Sequence, residues 1–251
     1  MLTPFSRACY PLNHLGLEDK TLTIVAAMRF GENFVVGADS RVANPRCVYQ
    51  ARKMGFINTP PIVWGWAGNL GVGQAFDEWI RVYEWQNVAW QKLRDDATST
   101  LAELNGKYFG FQRKAGIEPK EQDRTNVLIV GYLNGIGELL ESTGEGEWLF
   151  HRGDDMSATI GSGTYAFQIA QRSIEDFYKA CNGQQLVHDE ETFKFLMQLV
   201  IATDLYCGLP FGILKVGKSG VSVLQTSTSI GDLGLNSDRN LMGDKDAKTE
   251  T

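Results

Sequence analysis

Histidine is scarce in this chain. His14, His151 and His188 are the only three in 251 residues, and none stands in a GxSxG elbow, an HExxH helix or a Cys-His signature. Hydrolysis with a histidine base is therefore poorly served. The four cysteines, Cys9, Cys47, Cys181 and Cys207, show no CxxC spacing; zinc and thioredoxin-like chemistry lack their ligand pattern, and reduced or buried thiols are expected. No stretch approaches the roughly 18 apolar residues that cross a bilayer. No run of five Lys/Arg offers a basic footprint, and 24 Lys plus Arg against 30 Asp plus Glu leave a net charge of −6. Neither nucleic acid nor a membrane surface is expected as a partner. Residues 1–20 lack the basic start, apolar run and small-residue cleavage site of a secretory leader, so a cytoplasmic location is expected.

What is present is an ordinary globular composition, 43% hydrophobic and 11% aromatic, enough for a sizeable core. TLTIVAAM (Thr21 to Met28) and FVVGA (Phe34 to Ala38) flank Gly31-Glu32-Asn33 and predict a hairpin. Cys47 to Tyr49 with Met54 to Ile57 suggest a second short pair, and Ile62 to Ala67 a buried strand. The period then changes. Phe76, Trp79, Ile80, Tyr83 and Trp90 predict a helix over Gly71 to Trp90, and a second, more polar helix is expected over Asp96 to Phe111. Asn126 to Tyr132 and Gly137 to Ser142, joined at Asn134-Gly135, predict an Asn-Gly hairpin that opens a second sheet. Trp148 to His151 and Ser157 to Ile160 are expected to extend that sheet. Helices follow over Thr164 to Ala180 and Asp189 to Leu205, then a last hairpin of Phe211 to Val216 and Val221 to Leu224, which can return to the first sheet. The order predicts an α+β fold, a four-layer αββα sandwich.

Gly161-Ser162-Gly163 lies where phosphate loops occur, but it lacks the third glycine of a dinucleotide fingerprint and the GK[ST] of a P-loop. Acidic clusters at Asp154-Asp155 and Asp189-Glu190-Glu191 stand at a turn and a helix start, where local reasons explain them. The residues that group best belong to the first hairpin: Thr21 at its start, Asp39-Ser40-Arg41 at its end, and Lys53 on the next strand pair. TLTIVAAMRFGENFVVGADSR, ARKMGFIN, IVWGWAGNLGVGQAF and IGSGTYAFQIA, in that order over Thr21 to Leu224, resemble a proteasome β-type subunit or its bacterial relatives, in the N-terminal-nucleophile hydrolase superfamily.

The resemblance implies a threonine-type endopeptidase of peptide or protein substrates that needs no metal or organic cofactor. Its nucleophile would be Thr21, exposed by removal of residues 1–20, within a hydrolase domain over 21–225 followed by a polar tail over 226–251. A free α-amine, with an ordinary pKa of about 7.7 to 8.0, is partly deprotonated near neutrality and can serve as base without histidine. Lys53 would stay protonated and lower that amine's pKa, with Asp39 as its partner. Gly68 would give a backbone N–H to the oxyanion. Ser162, Asp204 and Cys207 match the supporting positions, Cys207 replacing the usual serine. Trp66 and Leu70 would line the specificity pocket, Trp66 narrowing it.

Two departures accompany the match. Lys20 stands where self-processing subunits carry glycine, and Leu22 replaces the commoner threonine after the nucleophile, with Thr23 offering a rival hydroxyl two residues along the strand. Two alternatives stay open: a catalytically silent ring subunit, and an N-terminal-nucleophile amidase of a small amide. The resemblance also implies a homo-oligomeric ring of six or seven subunits, stacked in pairs, with an ATPase regulator as a further expected partner. Trp79, Tyr83, Trp85 and Trp90 could serve either the core or a neighbour.

Overall fold

A computed structural model describes residues 23–44, 47–120, 124–143, 147–151, 156–182, 189–203 and 207–227. Thr21 and Asp204, the leading segment and all but the first two residues of the expected tail lie outside them. The first sheet is built on β1 (Val25–Phe30) and β2 (Asn33–Asp39), joined by a two-residue turn. The predicted return of the last hairpin is observed: β11 (Phe211–Gly217) pairs with β2, and β12 (Gly220–Ser227) pairs with β11. On the other side of β1 lies β10 (Ser157–Ile160). All neighbours in this five-stranded sheet are antiparallel.

The second five-stranded sheet runs β5 (Met54–Asn58), β6 (Pro61–Ala67), β7 (Asn126–Leu133), β8 (Ile136–Ser142) and β9 (Trp148–His151), again antiparallel throughout. The β7–β8 turn places Asn134 and Gly135 at φ 52° and 78°, the left-handed geometry that a two-residue hairpin favours. A separate ribbon pairs β3 (Arg41–Asn44) with β4 (Cys47–Gln50). Four helices complete the described residues: α1 (Leu70–Arg81), α2 (Trp90–Lys114), α3 (Thr164–Asn182) and α4 (Glu190–Thr203). The fold is mixed α+β.

Three of the sequence expectations change. Cys47 to Tyr49 pairs with Arg41–Asn44 and not with Met54 to Ile57, because Met54–Asn58 is taken up by Pro61–Gly65 through the short turn between them. Ser157–Ile160 joins the first sheet, its residues opposite Met28 to Val25, and does not extend the second. The helix expected over 71–90 stops at Arg81, and α2 begins at Trp90, so Asp95 and Asp96 lie inside it. They are tolerated there because Arg94, Gln91, Lys92 and Tyr83 donate hydrogen bonds to their carboxylates.

Side-chain alternation along the strands divides the apolar residues into three cores. Val25, Ala27, Phe34 and Val36 meet Val63, Leu128, Val130 and Leu139 between the two sheets. Ile62, Trp64, Trp66 and Ile129 face Val72, Phe76, Ile80, Leu93 and Leu101 of α1 and α2. Ile24, Ala26, Val35 and Ile213 face Phe167 of α3 and Phe193, Leu196 and Met197 of α4. Each fully buried Leu, Ile or Phe contributes roughly 1.5–3 kcal/mol.

The sheets approach closely where β6 carries Gly65, since a Cβ there would stand 2.5 Å from Val25 Cγ1. Gly65→Ala is expected to destabilise the protein by about 1–3 kcal/mol through overpacking, read as a lower urea midpoint with an unchanged m-value.

Candidate functional site

Six polar or charged residues are buried among the described ones: Thr23, Asp39, Lys53, Asn105, Thr125 and Ser142. Strand direction brings them to one end of the molecule. Thr23 precedes β1, Asp39 ends β2, Lys53 precedes β5, Thr125 precedes β7 and Ser142 ends β8, and antiparallel pairing sets starts beside ends. Unpaired burial of such groups costs about 1–3 kcal/mol each, so each needs its partners here.

Asp39 is the centre of that end, with its side chain fully buried. Its Oδ1 accepts from Thr23 Oγ1 at 3.0 Å, Ile24 N at 3.0 Å and Lys53 Nζ at 3.1 Å. Its Oδ2 accepts from Arg41 N at 3.1 Å and Gly208 N at 3.2 Å. Lys53 Nζ also donates to the Arg41 carbonyl, and Lys53 is itself tied to β6 by Trp66 N donating to its carbonyl at 2.9 Å. Burial pushes the Asp39 carboxyl above its ordinary value and the Lys53 ammonium below its own; their mutual attraction and the hydrogen bonds to Asp39 oppose both shifts. The Cys207 sulfur, buried nearby, acts in the same sense by favouring the charged lysine.

Thr23 is 2% exposed and held on every polar atom. Its N–H donates to Ser162 Oγ at 2.9 Å. Its carbonyl accepts from Gly163 N at 3.0 Å and from Ser162 Oγ at 3.3 Å. Gly163 in turn accepts from Phe167 N in the first turn of α3, so the helix start is built onto the start of β1. The Cys207 sulfur lies against Gly163, 2.7 Å from where a Cβ would stand.

Gly68 follows β6 at φ +119°. A Cβ there would meet the Arg124 carbonyl at 2.4 Å and Thr125 Cα at 2.7 Å, so both backbone angle and space require glycine. The next residue, Asn69, caps α1 by accepting from Val72 N at 3.2 Å.

Of the residues expected from the sequence, Asp39 and Ser162 therefore bond directly to Thr23, Lys53 is joined to it through Asp39, Cys207 lies beside Gly163, and Gly68 lies at the same end of the fold. Thr21 and Asp204 fall outside the described residues. Trp66 and Leu70 point elsewhere: both pack into the core beneath α1, where the 1%-exposed Trp66 indole fills the space over Gly73. A narrowed specificity pocket thus finds no wall in Trp66. Trp90 is also a core residue, donating from its indole to the Ile136 carbonyl at 2.8 Å, whereas Trp79, Tyr83 and Trp85 are only partly buried and line a cleft of about 1040 Å³ beside the α1–α2 connection. Asn105, Thr125, Ser142 and Gly208 were not singled out from the sequence. Asn105 carried a usable signal, a polar residue continuing the Leu93, Ala97, Leu101 stripe of α2.

Among the described residues no cluster of three His, Cys, Asp or Glu could hold a metal ion, and no helix is long and apolar enough to cross a membrane.

The fold is one already seen in solved structures of Anbu, an ancestral β-subunit. Similar structures include Anbu from Yersinia bercovieri, at 19% identity and TM-score 0.60 over 82% of this chain and 87% of that one. The helical assembly of the Anbu complex from Pseudomonas aeruginosa gives 18% identity and TM-score 0.62 over 82% and 87%. A Gly-1 mutant of Anbu from Hyphomicrobium sp. strain MC1 gives 21% and 0.60 over 82% and 86%. No family model and no curated protein matches the sequence. These findings correct the proteasome β-type resemblance drawn from the sequence: it has no sequence-level support, and the likeness is to Anbu in fold.

Removing one partner of the buried pair strands the other. Asp39→Asn is expected to cost about 3–5 kcal/mol, and adding Lys53→Met to it is expected to recover much of that loss, both read by chemical denaturation.

Proposed function

We propose that this chain is an amide-bond hydrolase of the N-terminal-nucleophile kind, acting on peptides, and that its three-core architecture is that superfamily's four-layer αββα sandwich. The observation that carries this reading is the setting of Thr23, with its N–H on Ser162 Oγ and its hydroxyl on the carboxylate that holds Lys53. We give Thr23 the nucleophile's role that the sequence resemblance implied for Thr21, because Thr23 is the threonine whose contacts to Asp39 and Ser162 support it. The β1–β2 register sets Val25 opposite Ala38, which brings Thr23 and Ile24 to Asp39.

Once residues 1–22 are removed, the Thr23 nitrogen becomes an α-amine beside Ser162. Thr23 Oγ attacks the substrate carbonyl carbon and passes its proton to that amine. The carbonyl oxygen takes the negative charge and receives the Gly68 N–H. Collapse breaks the C–N bond as the amine returns the proton to the leaving nitrogen, leaving an ester on Thr23. Water, deprotonated by the same amine, attacks the ester carbonyl, and the leaving Oγ recovers its proton. Lys53, kept charged by Asp39, lowers the amine's pKa toward neutrality; positioned proton transfer of this sort is typically worth about 10² to 10⁴ in rate.

Self-association belongs to the same reading. One similar structure is a helical assembly, and α3 here exposes Tyr165 at 73%, Ile169 at 46% and Phe177 at 70%, residues spaced to share one helix face.

Intact mass separates the possibilities. The purified full chain is expected to lose residues 1–22 and to stay whole as Thr23→Ala, with peptide hydrolysis falling to background. Cleavage after Lys20, blocked by Thr21→Ala and not by Thr23→Ala, returns the role to Thr21. An uncut chain that also remains inactive when prepared to begin at Thr23 overturns the hydrolase.

A further inference from the structure

The buried polar residues beyond Asp39 form a second set of bonds, and it leads from α2 to Gly68. Asn105 is 8% exposed on the apolar stripe of that helix. Its Oδ1 accepts from Thr125 N at 3.0 Å and its Nδ2 donates to the Thr125 carbonyl at 3.3 Å. One side chain thus satisfies both backbone groups of a single residue, as a neighbouring strand would. Thr125, fully buried, passes the constraint on: its Oγ1 donates to the Asn69 carbonyl at 3.2 Å, and its Cα, with the Arg124 carbonyl, occupies the space beside Gly68 that a Cβ would need. The segment Gly68-Asn69 is held from one side by Thr125 and from the other by the first turn of α1 through the Asn69 cap.

We infer that Asn105 is a positioning residue that aims the Gly68 N–H at the oxyanion; this rests on the hydrolase reading above. A core position asks for leucine here, and an amide is retained where its two bonds fix something that packing alone leaves loose. An oxyanion donor acts only when it is aimed before the charge develops, and a displacement of about 1 Å in such a group costs on the order of 10²-fold in rate. Asn105 touches neither substrate nor nucleophile and acts through Thr125.

The test uses the full chain as wild type, Asn105→Ala, Asn105→Asp and Thr125→Val, the last keeping shape while removing only the bond to Asn69. Amide exchange is expected to quicken at Thr125 in Asn105→Ala, where its N–H loses the Asn105 acceptor, while the Ile24, Arg41 and Gly208 amides around Asp39 stay as they were. On a peptide substrate kcat is expected to fall about 10- to 100-fold with KM within about twofold, and affinity for a peptide aldehyde, which forms the tetrahedral adduct, is expected to fall in step with kcat. Thr125→Val is expected to follow in the same direction. In Asn105→Asp the carboxylate repels the Thr125 carbonyl, so activity relative to wild type should rise as pH drops and the protonated acid regains a donor. An active wild type whose variants keep kcat and aldehyde affinity overturns this role alone, as does unchanged exchange at Thr125. A wild type beginning at Thr23 that neither cuts peptides nor binds the aldehyde overturns the hydrolase, and the role of Asn105 falls with it.

Discussion

A single buried carboxylate organises one end of this molecule. Asp39 accepts five hydrogen bonds, from Thr23 and Ile24 just ahead of β1, Arg41 at the start of β3, Lys53 ahead of β5, and Gly208 ahead of β11. A charge removed from water is stable only when its lone pairs are filled and a counter-charge is close. Here the donors come from four separate segments, Gly208 lying 169 residues away, so the carboxylate is satisfied only when both sheets and the β3–β4 ribbon are in place. The same end is fastened by Ser40, whose N–H and hydroxyl both donate to the Pro210 carbonyl.

That arrangement separates two tasks. The apolar cores between and outside the sheets supply the stability, through side chains that need only be apolar and of the right volume. The polar end supplies geometry, through groups whose partners are specific atoms. This division fits a fold shared at 18–21% identity with the Anbu structures, because the first task tolerates wide substitution and the second fixes few positions.

Much of the layout was legible because periodicity reports which face is buried. The β1–β2 and β7–β8 hairpins, the return of β11 to β2, and α3 and α4 followed from alternation, turn residues and the 3.6-residue stripe. The helix boundary near Trp90 was not legible, since Ala89 makes no side-chain cap hydrogen bond and the aromatics of the connection continue a helix-like spacing. The place of β10 was hidden because a four-residue strand carries no mark of its neighbour. At the site, residue types were readable and register was not. Asp39, Lys53, Ser162 and Gly68 stood out, but which threonine meets Asp39 depends on counting the turn as two residues, Gly31-Glu32, where Phe30 pairs with Asn33. Asn105 and Thr125 depend on contacts twenty residues apart in sequence that no local pattern encodes.

The anchoring of α2 makes it a ruler for the sheet beneath it. At the hairpin end, the Trp90 indole reaches the Ile136 carbonyl and Asn134 donates to the Val88 carbonyl; at the other end Asn105 grips Thr125. Between Trp90 and Asn105 the helix rises about 22 Å, while Thr125 to Asn134 spans about 30 Å of strand, the difference being bridged by the indole and the residues that lead into the helix. One residue inserted between the two anchors would lengthen the helix by about 1.5 Å but turn Asn105 by about 100°, away from β7 altogether. Because both ends are anchored, this helix segment and this strand can change length only together.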